Sequence, residues 1–545
     1  MSTIASASAL LDISGLSITY GHGDEAVVAA LNIDLTLKPG EIVALVGESG
    51  SGKSTLSKAI IGLLPQSARI LGGSINLAGE NLLSRSEREL ASIRGRRIGM
   101  VPQDPGASLD PVKTVGSQIS EVFRLHPQGH KLSRVELRAE VIRLLELVGI
   151  DTPEQRISQY PHELSGGLKQ RVLIAIAFAL KPELLIADEP TSALDVTVQQ
   201  TVLEVFTKLA RELGTAVIFV THDLAVATDI ADRIVVMQHG QIREDRPVLE
   251  ILRSPEDAYT RMLLTEATAS GDASRIATGL GAITVPAIEV AGLTQIYGRG
   301  KTERAAVDEV SFAVRPGTTF SLVGESGSGK STTARMIMRL LEPTAGTVKI
   351  HGQDVTHARG IDKRELWRSL QLVYQNPDSA LDPRYSVSRI ISEPLENYKV
   401  GSKAERRLRV AELLDAVNLP TRMAALGARE LSGGQRQRVA IARALALGAK
   451  TLVLDEALSA LDVLTQAQIL ALLEDLQVNQ GLSYLFISHD LHVVERISHD
   501  VGVMRQGRLV EVGTATQVLN NPTSEYTRLL LDSNPGALLR EMATN

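Results

Sequence analysis

The stretch GESGSGKST occupies residues 47–55 and returns unchanged at residues 324–332. Each copy follows an apolar run, EIVALV in the first case, and precedes a helical pattern such as LSKAIIGLL. This strand–loop–helix context fits the motif G-x-x-x-x-G-K-[ST], a loop whose backbone N–H groups surround phosphates. The sequence therefore predicts two phosphate-binding loops, each at the N-terminus of a helix that adds positive potential.

The charged and hydroxyl residues of these loops have separate predicted roles. Lys53 and Lys330 are expected to reach the β- and γ-phosphates of ATP, and Ser54 and Ser331 to bind Mg²⁺. The motif makes the other small residues of both loops candidate nucleotide ligands: Gly47, Ser49, Gly50, Gly52 and Thr55 in the first, and Gly324, Ser326, Gly327, Gly329 and Thr332 in the second. A Gly/Ser-rich turn before a helix is the alternative, and two identical matches in the same context argue against it.

The repeat extends well beyond the loops. ELSGG recurs at 163–167 and 430–434, and LLIADEPTSALDV at 184–196 matches TLVLDEALSALDV at 451–463. The offset is 277 residues for the loops (324 minus 47) and 267 for the later motifs (432 minus 165). Collinear motifs at a nearly constant offset indicate a duplicated domain of about 270 residues, far longer than the ~20–50 residues of a solenoid repeat.

Domain boundaries follow from composition. Residues 265–286 are rich in Ala, Gly, Ser and Thr and lack apolar periodicity, which predicts a flexible linker. The chain then divides into a first domain at 1–264 and a second at 287–545. In each half, apolar β-rich runs alternate with helical patterns, and this alternation predicts an α/β domain around a largely parallel, buried sheet.

Composition excludes several classes of protein. The net charge of −6, from 57 basic and 63 acidic residues, gives no reason to expect a nucleic-acid partner. The absence of cysteine excludes disulfides, thiolate zinc sites and iron–sulfur clusters. The N-terminus lacks a signal-peptide pattern, and no uncharged run reaches the ~17–25 residues of a spanning helix. We therefore expect a cytosolic chain whose membrane role, if any, comes through partners.

Two acidic residues end a second apolar strand in each half, in LLIADE and TLVLDE. Ligands meet parallel sheets at the carboxyl ends of strands. Asp188 and Asp455 are therefore expected to support Mg²⁺, and Glu189 and Glu456 to orient the attacking water. A solvated acid pair would be the better interpretation of either motif alone, but the phosphate-binding loop upstream favours the catalytic one.

At this point both halves resemble ATP-binding cassettes, the motor domains of ABC transporters, over nearly the whole chain. The resemblance implies two tandem P-loop NTPase domains, each with a RecA-like α/β core, an antiparallel β subdomain and a helical subdomain. LSGG looks like the family signature, which in the family's head-to-tail dimer caps the nucleotide of the other cassette. The resemblance thus implies nucleotide contacts for Ser165, Gly166, Gly167, Ser432, Gly433, Gly434 and Gln435.

Glutamine and histidine motifs extend the resemblance. Gln103 in VPQDP and Gln375 in VYQNP look like the Q-loop glutamines that sense Mg²⁺ and the permease. His222 and His489, each following an apolar strand, look like the switch histidines near the γ-phosphate. A lone histidine at a strand end usually has a structural role, but the paired THD and SHD motifs favour the functional interpretation.

Two further pairs complete the predicted site. Asp195 and Asp462 look like D-loop residues, which in the family cross to the partner cassette. Tyr20 and Tyr297 each lie 27 residues before the first loop glycine (47 minus 20, 324 minus 297), where the family stacks an aromatic ring on adenine. Surface packing is the alternative for a lone tyrosine, and the equal spacing favours stacking.

The terminal segments narrow the resemblance to the oligopeptide, dipeptide and nickel importer branch. SPEDAYTRMLL and NPTSEYTRLLL close the two halves, and VPQDPGASLDP and VYQNPDSALDP follow the Q-loops. The branch implies an ATPase that drives peptide uptake with two integral-membrane permeases and an extracytoplasmic solute-binding protein, at the cytoplasmic face of the inner membrane. A tandem sugar-importer ATPase stays open as an alternative, as does a ribosome-bound translation factor, although its long charged linker is missing here.

Two departures distinguish the halves. The first signature has Leu168 where the second has Gln435, and the second half has Ala457 and Leu458 in place of a Pro-Thr pair. Leucine cannot form a side-chain hydrogen bond. In the family arrangement the first signature faces the loop of Lys330, so that site is expected to be the slower of the two.

Overall fold

The computed structural model describes residues 9–21, 26–126, 132–192, 194–269, 285–298, 303–459 and 461–543. The chain forms two compact units, the first comprising Met1–Leu194, Val198–Thr268 and Pro535–Asn545, and the second comprising Asp195–Thr197 and Ala269–Asn534. The predicted linker at 265–286 falls mostly outside the described residues, and its first four residues continue a helix. The C-terminal residues, predicted to belong to the second domain, group with the first unit.

The first unit contains ten strands and eleven helices before the linker, within its described residues. The strands are β1 Leu11–Tyr20, β2 Val27–Leu37, β3 Ile42–Val46, β4 Ala68–Leu77, β5 Glu80–Asn81, β6 Ile98–Val101, β7 Leu184–Asp188, β8 Ala216–Thr221, β9 Arg233–Gln238 and β10 Gln241–Pro247. The helices are α1 Lys53–Ile60, α2 Glu87–Ile93, α3 Pro105–Ser108, α4 Val115–Leu125, α5 Arg134–Leu147, α6 Pro153–Arg156, α7 Gly166–Phe178, α8 Val196–Leu213, α9 Leu224–Ile230, α10 Val248–Arg253 and α11 Ala258–Thr268.

Two sheets and a helical layer build this unit. The core sheet has the order β10-β9-β3-β8-β7-β6 and is parallel except for the β9–β10 pair. Every residue of β3, β7 and β8 is buried, as expected of parallel strands covered on both faces. A separate antiparallel sheet has the order β2-β1-β4-β5. Helices α3 to α6 precede the signature and form the helical subdomain, in which α3, α4 and α5 pack against α7 and α6 packs against α5.

The second unit repeats this plan. Its strands are β11 Ile288–Tyr297, β12 Arg304–Val314, β13 Thr319–Val323, β14 Ala345–Ile350, β15 Gln353–Asp354, β16 Leu370–Val373, β17 Thr451–Asp455, β18 Ser483–Ile487, β19 Asp500–Arg505 and β20 Arg508–Thr514. Its helices are α12 Lys330–Ile337, α13 Gly360–Ser369, α14 Pro377–Ala380, α15 Val387–Asn397, α16 Lys403–Ala416, α17 Gly433–Leu445, α18 Val463–Gln480, α19 Leu491–Ile497, α20 Ala515–Asn520 and α21 Glu525–Asp532. The core sheet, β16-β17-β18-β13-β19-β20, and the antiparallel sheet, β12-β11-β14-β15, match those of the first unit. The predicted fold of two tandem α/β cassettes is confirmed.

The last helix, α22 Ala537–Ala543, completes the first unit. The N–H of Gly536 donates to Oδ2 of Asp229, in α9, at 2.7 Å. Leu539 is buried, and a Cβ on Gly536 would lie 2.8 Å from the Cβ of Ala225. The segment from Gly536 through α22 therefore packs closely against α9.

No helix in the described part of the chain is long and apolar enough to cross a bilayer.

Candidate active sites

Each phosphate-binding loop joins the carboxyl end of a buried strand to a helix, β3 to α1 and β13 to α12. The Nζ atom of Lys53 donates to the carbonyl oxygens of Gly47 and Glu48 at 2.7 and 2.8 Å. Lys330 makes the corresponding bonds in the second loop, both at 2.7 Å. Both lysines are buried, and burial lowers the pKa of Lys330. The lysines are thus held by the loop backbone beneath exposed tips formed by Ser49, Gly50, Ser326 and Gly327.

Two loop glycines are required by close packing. Gly47 has a φ of 156°, and a Cβ there would lie 2.1 Å from the carbonyl oxygen of Met237. Gly52 has a φ of 104°, and its Cβ would lie 2.3 Å from the carbonyl oxygen of Ala29. Contacts this short exclude any side chain. The loop therefore lies directly against β9 and β2, which fixes where its N–H groups point.

A hydroxyl and a carboxylate meet beside each loop. Ser54 Oγ donates to Asp188 Oδ1 at 3.3 Å, and Ser331 Oγ donates to Asp455 Oδ1 at 3.1 Å. Burial raises the pKa of both aspartates, and the adjacent glutamates add to the effect. Such oxygen donors suit a hard cation that keeps water and substrate oxygens as further ligands, which is how Mg²⁺ is usually held. The described residues contain no group of three or more His, Cys, Asp or Glu able to hold a metal ion by themselves.

Glu189 lies at the centre of the first site. Its φ of 46° places it in the left-handed region, which is rare for a residue with a side chain. Its N–H donates to the carbonyl oxygen of Val220 at 2.9 Å, its Oε2 accepts from Gln103 Nε2 at 2.8 Å, and its Oε1 lies 3.2 Å from His222 Nδ1. Burial raises the pKa of Glu189, but His222 and Lys53 outweigh it and hold this pKa below its ordinary value.

The second site repeats this arrangement around Glu456, whose φ is 48°. Gln375 Nε2 donates to Glu456 Oε2 at 2.7 Å, while His489 Nδ1 lies 3.7 Å from Oε1. The nearby His489 holds the pKa of Glu456 below its ordinary value, although burial raises it. Burial by itself would lower the pKa of His222 and His489, but the neighbouring glutamates have the larger effect. The pKa of each histidine is therefore above its ordinary value.

In each unit the structure therefore brings four separately predicted motifs to one edge of the core sheet: the phosphate-binding loop with its lysine and serine, the Asp-Glu pair, the Q-loop glutamine and the switch histidine. The glutamate is held on three sides by a strand carbonyl, a glutamine and a histidine. Both glutamates adopt a left-handed backbone conformation, which in proteins occurs at functional positions as well as in turns. The arrangement can hold a carboxylate at a fixed place beside a polyphosphate.

The signature motifs begin helices. Ser165 Oγ accepts the N–H of Leu168 at 3.4 Å, at the N-terminus of α7. In the second copy Ser432 and Gln435 form a full capping box, in which Gln435 Oε1 accepts the N–H of Ser432 at 2.9 Å. Leu168 instead packs against the core of its own unit. The two signatures therefore differ in helix capping: α17 begins with a full capping box, whereas α7 has only the serine cap.

The second glycine of each signature has a packing role that the sequence did not reveal. A Cβ on Gly167 would lie 2.3 Å from Val198 Cγ1, and one on Gly434 would lie 2.4 Å from Thr465 Cγ2. Helices α7 and α17 thus approach the following long helices more closely than any side chain would allow. Gly166 and Gly433 have more room, with the nearest atom 3.5 Å from a Cβ in each case.

The remaining predicted residues have simpler surroundings. Tyr20 Oη lies 3.2 Å from the loop hydroxyl of Thr55, whereas Tyr297 has an exposed fraction of 49%. Thr332, which corresponds to Thr55, is partly buried. Asp462 caps α18 by accepting the N–H of Thr465, and Asp195 accepts from the hydroxyl of Thr197.

Two contacts to the loops were not predicted. The hydroxyl of Tyr259 accepts the N–H of Glu48 at 3.0 Å, and the hydroxyl of Tyr526 accepts the N–H of Glu325 at 3.2 Å. The available signal was the repeated Tyr-Thr pair in AYTRMLL and EYTRLLL. In the sequence the same pair supports only the resemblance to one family branch.

Comparison with known proteins gives consistent matches. A family profile described as ABC transporter matches residues 30–192 and 307–459. The chain is 42% identical to the glutathione import ATP-binding protein GsiA of Salmonella typhimurium, over 97% of this chain and 90% of that protein. It is 40% identical to the oligopeptide transport ATP-binding protein OppD of Mycobacterium tuberculosis, over 97% of this chain and 98% of that protein.

Solved structures match one cassette at a time. An ATP-binding cassette in a post-hydrolysis state, bound to ADP and Pi, is 30% identical and covers 42% of this chain and 98% of its own, with a TM-score of 0.39. The protein cbiO1 of Clostridium perfringens, part of an ABC transporter complex, is 27% identical and covers 44% of this chain and 92% of its own, with a TM-score of 0.41.

Proposed function

The chain belongs to the ABC transporter family, and from that premise we propose that it is the ATP-hydrolysing motor subunit of an importer for peptides. Relatives named for glutathione import and for oligopeptide transport match nearly the whole chain, both cassettes included. Both names describe uptake of short peptides or of a peptide-like thiol. We therefore expect the cargo to be of that class.

One observation carries the enzymatic part of the proposal: both units hold a glutamate at a strand end in the same strained backbone, with the same glutamine and histidine partners. Retention of the whole set in both copies supports two working hydrolytic sites. In this role Glu189 and Glu456 orient the attacking water and accept its proton. His222 and His489 hold the carboxylates in place and face the γ-phosphate.

The loops supply the substrate contacts in this proposal. Lys53 and Lys330 neutralise charge on the transferred phosphoryl group, and the loop N–H groups bind phosphate oxygens without reorganising. Ser54, Asp188, Ser331 and Asp455 are the residues proposed to hold Mg²⁺, with Gln103 and Gln375 joining when nucleotide is present. Mg²⁺ would supply charge neutralisation between the β- and γ-phosphates. The pairing of each signature with the other loop, which the family resemblance implies, remains a prediction.

Partners and location follow from the same proposal. The chain would act at the cytoplasmic face of the membrane, bound to two permease subunits that form the pathway. An extracytoplasmic binding protein would deliver the solute. Gln103 and Gln375, which precede the helical subdomains, are proposed to pass the state of the nucleotide to the permeases.

ATP hydrolysis by the purified chain tests the enzymatic proposal. Replacing Glu189 and Glu456 together by Gln keeps side-chain size and removes the carboxylates, so we expect ATP to bind while turnover falls on the order of 10²-fold or more. Glu183→Gln is the matched control, because Glu183 lies just before the other end of β7 and pairs with Arg97. Parental turnover in the double variant would refute the assignment of both glutamates.

Solute uptake tests the cargo. A strain lacking the gene should lose uptake of labelled di- or tripeptides, or of labelled glutathione, and regain it with the wild-type gene but not with the double Gln variant. Loss of sugar uptake with unchanged peptide and glutathione uptake would contradict the proposed cargo class.

A further inference from the structure

A tyrosine from the C-terminal part of each cassette is bonded to the phosphate-binding loop. Tyr259, near the start of α11, accepts the N–H of Glu48, and Tyr526, near the start of α21, accepts the N–H of Glu325. Both tyrosines are almost fully buried, with exposed fractions of 5% and 4%. Glu48 and Glu325 are the second residues of the two loops, and each pair lies within a single unit.

Each tyrosine is hydrogen-bonded to a peptide group that is also hydrogen-bonded to the loop lysine. The carbonyl oxygen of Gly47 and the N–H of Glu48 belong to the same planar peptide. Lys53 Nζ donates to that carbonyl at 2.7 Å, and Tyr259 Oη accepts from that N–H at 3.0 Å. A peptide plane fixed at both ends cannot rotate, so the tyrosine fixes the carbonyl to which the lysine is bonded.

The second loop shows the same double contact. Lys330 Nζ donates to the carbonyl oxygen of Gly324 at 2.7 Å, and Tyr526 Oη accepts the N–H of Glu325 at 3.2 Å. Burial raises the pKa of Tyr526 to about 12. The hydroxyl therefore stays neutral at physiological pH. Arg505 stacks over the Tyr526 ring at 4.6 Å, at a position that corresponds to Gln238 in the first unit.

A glutamate on the edge strand of each core sheet, Glu244 or Glu511, binds the turn that precedes the tyrosine; we call this contact the clamp. In the first unit the Glu244 carboxylate accepts the N–H groups of Glu256 and Asp257 at 3.0 and 3.1 Å, and Asp257 accepts the N–H of Tyr259 at 2.7 Å. In the second unit Glu511 accepts the N–H groups of Thr523 and Ser524 at 2.8 and 3.1 Å. A buried carboxylate that receives two backbone bonds fixes the turn before the helix.

We propose that Tyr259 and Tyr526 are positioning residues for nucleotide binding, each orienting the first peptide of a phosphate-binding loop and, through it, the loop lysine. The inference rests on the proposed ATPase function. A tyrosine that merely filled the core would have no need of the same hydroxyl acceptor in both units. The clamp and the bond to the loop together make each C-terminal segment part of the nucleotide site, although about 200 residues separate the segment from the loop in sequence.

Substitution by phenylalanine tests the proposal in the full-length chain. Tyr259→Phe with Tyr526→Phe removes both hydroxyls and keeps both rings. We expect the affinity for radiolabelled ATP with Mg²⁺ to fall about 2- to 12-fold, the factor that a net hydrogen bond is usually worth. The KM for ATP should rise by a similar factor while kcat changes little, because the hydroxyls do not touch the glutamates that orient water.

Tyr484→Phe is the matched control. Tyr484 is fully buried in β18 of the second unit, and its hydroxyl donates to the carbonyl of Leu473 at 2.8 Å, away from the loop. This variant should lower the unfolding temperature and leave ATP affinity unchanged. Equal ATP affinity in wild type and the double Phe variant would overturn the proposal, as would an equal loss of affinity in Tyr484→Phe.

A second variant covers the case in which the double Phe chain folds poorly. Glu511→Gln keeps an acceptor for one of the two clamped N–H groups and loses the charge, so ATP affinity should fall less than in Tyr526→Phe but in the same direction. Unchanged affinity in a folded Glu511→Gln chain would count against the clamp. Failure of the wild-type chain to bind ATP would instead refute the proposed function.

Discussion

Replacing one of the two proposed catalytic glutamates at a time should reveal that the two sites are unequal, with the Lys53 site the faster. The structural basis is the distance from histidine to glutamate, 3.2 Å between His222 and Glu189 and 3.7 Å between His489 and Glu456. Only the shorter distance is within hydrogen-bond range. A more firmly held carboxylate spends more time where it can orient water.

The expected magnitude follows from Coulomb's law. With an effective dielectric constant of about 20, a charged pair at these two distances interacts by about 5.2 and about 4.5 kcal/mol. The difference of ~0.7 kcal/mol corresponds to about a threefold difference in rate if all of it serves to position the carboxylate. With sites that turn over independently, Glu189→Gln removes about three-quarters of the activity and Glu456→Gln about one-quarter.

Phosphate release by the full chain at saturating ATP and Mg²⁺ is the assay, with Glu183→Gln as the control. Both variants must bind ATP as the parent does, since neither change touches the phosphate-binding loop. A larger loss from Glu456→Gln, or equal losses from the two variants, would refute the reasoning.

Leu168 in the first signature predicts the same asymmetry, with the Lys330 site the slower. In the structure Leu168 packs against the core of the first unit, and the amide oxygen of Gln435 caps its own helix. Each of these contacts lies within one unit, so the predicted effect of Leu168 on the Lys330 site stays a prediction. The histidine–glutamate distances are a second, independent reason to expect the same asymmetry.

Three further outcomes are expected. Gln103→Ala should reduce transport in the membrane-assembled complex more than basal hydrolysis by the purified chain, because Gln103 joins Glu189 to the helical subdomain; an equal loss of both activities would contradict this. Gly167→Ala should destabilise the fold by about 1–3 kcal/mol in denaturant unfolding, through the contact with Val198, and Val198→Ala in the same chain should recover part of the loss. His222→Gln should lower the unfolding temperature most at about pH 5 to 6.5, because the partner Glu189 raises the pKa of His222 in the folded chain. The stabilisation from the protonated histidine is lost as the pH rises through that raised pKa. A difference in unfolding temperature between wild type and variant that grew with pH would contradict the pairing.

Much of the site could be predicted because its motifs combine local spacing with a fixed topology. Lys53 and His222 follow two strands of one parallel sheet and Asp188 ends a third, and the carboxyl ends of parallel strands meet at one edge. Duplication strengthened each inference, since every motif was found twice in the same order. The fold class followed from the same alternation of strands and helices.

Other features could not be predicted because they depend on tertiary contacts between distant residues. The bond from Glu48 to Tyr259 joins positions 211 apart, and nothing in the local pattern of AYTRMLL indicates a partner. The close packing of Gly167 against Val198 could not be predicted, because the expected nucleotide contact of the signature motif was already a sufficient reason for a glycine there. The left-handed backbone of Glu189 is equally invisible in sequence, since glutamate has no preference for that region.

The placement of the C-terminal helix limits how this gene can be divided. A fragment ending at the linker, residues 1–268, would lack α22 and would leave the Asp229 carboxylate without its Gly536 partner. The complementary fragment would carry that helix without the α9 surface it covers. The first unit is thus completed by a segment that follows the second unit in the sequence. Separate expression of the first cassette should accordingly benefit from a peptide spanning 535–543 supplied in trans, and an affinity tag is better placed at the N-terminus than after this helix.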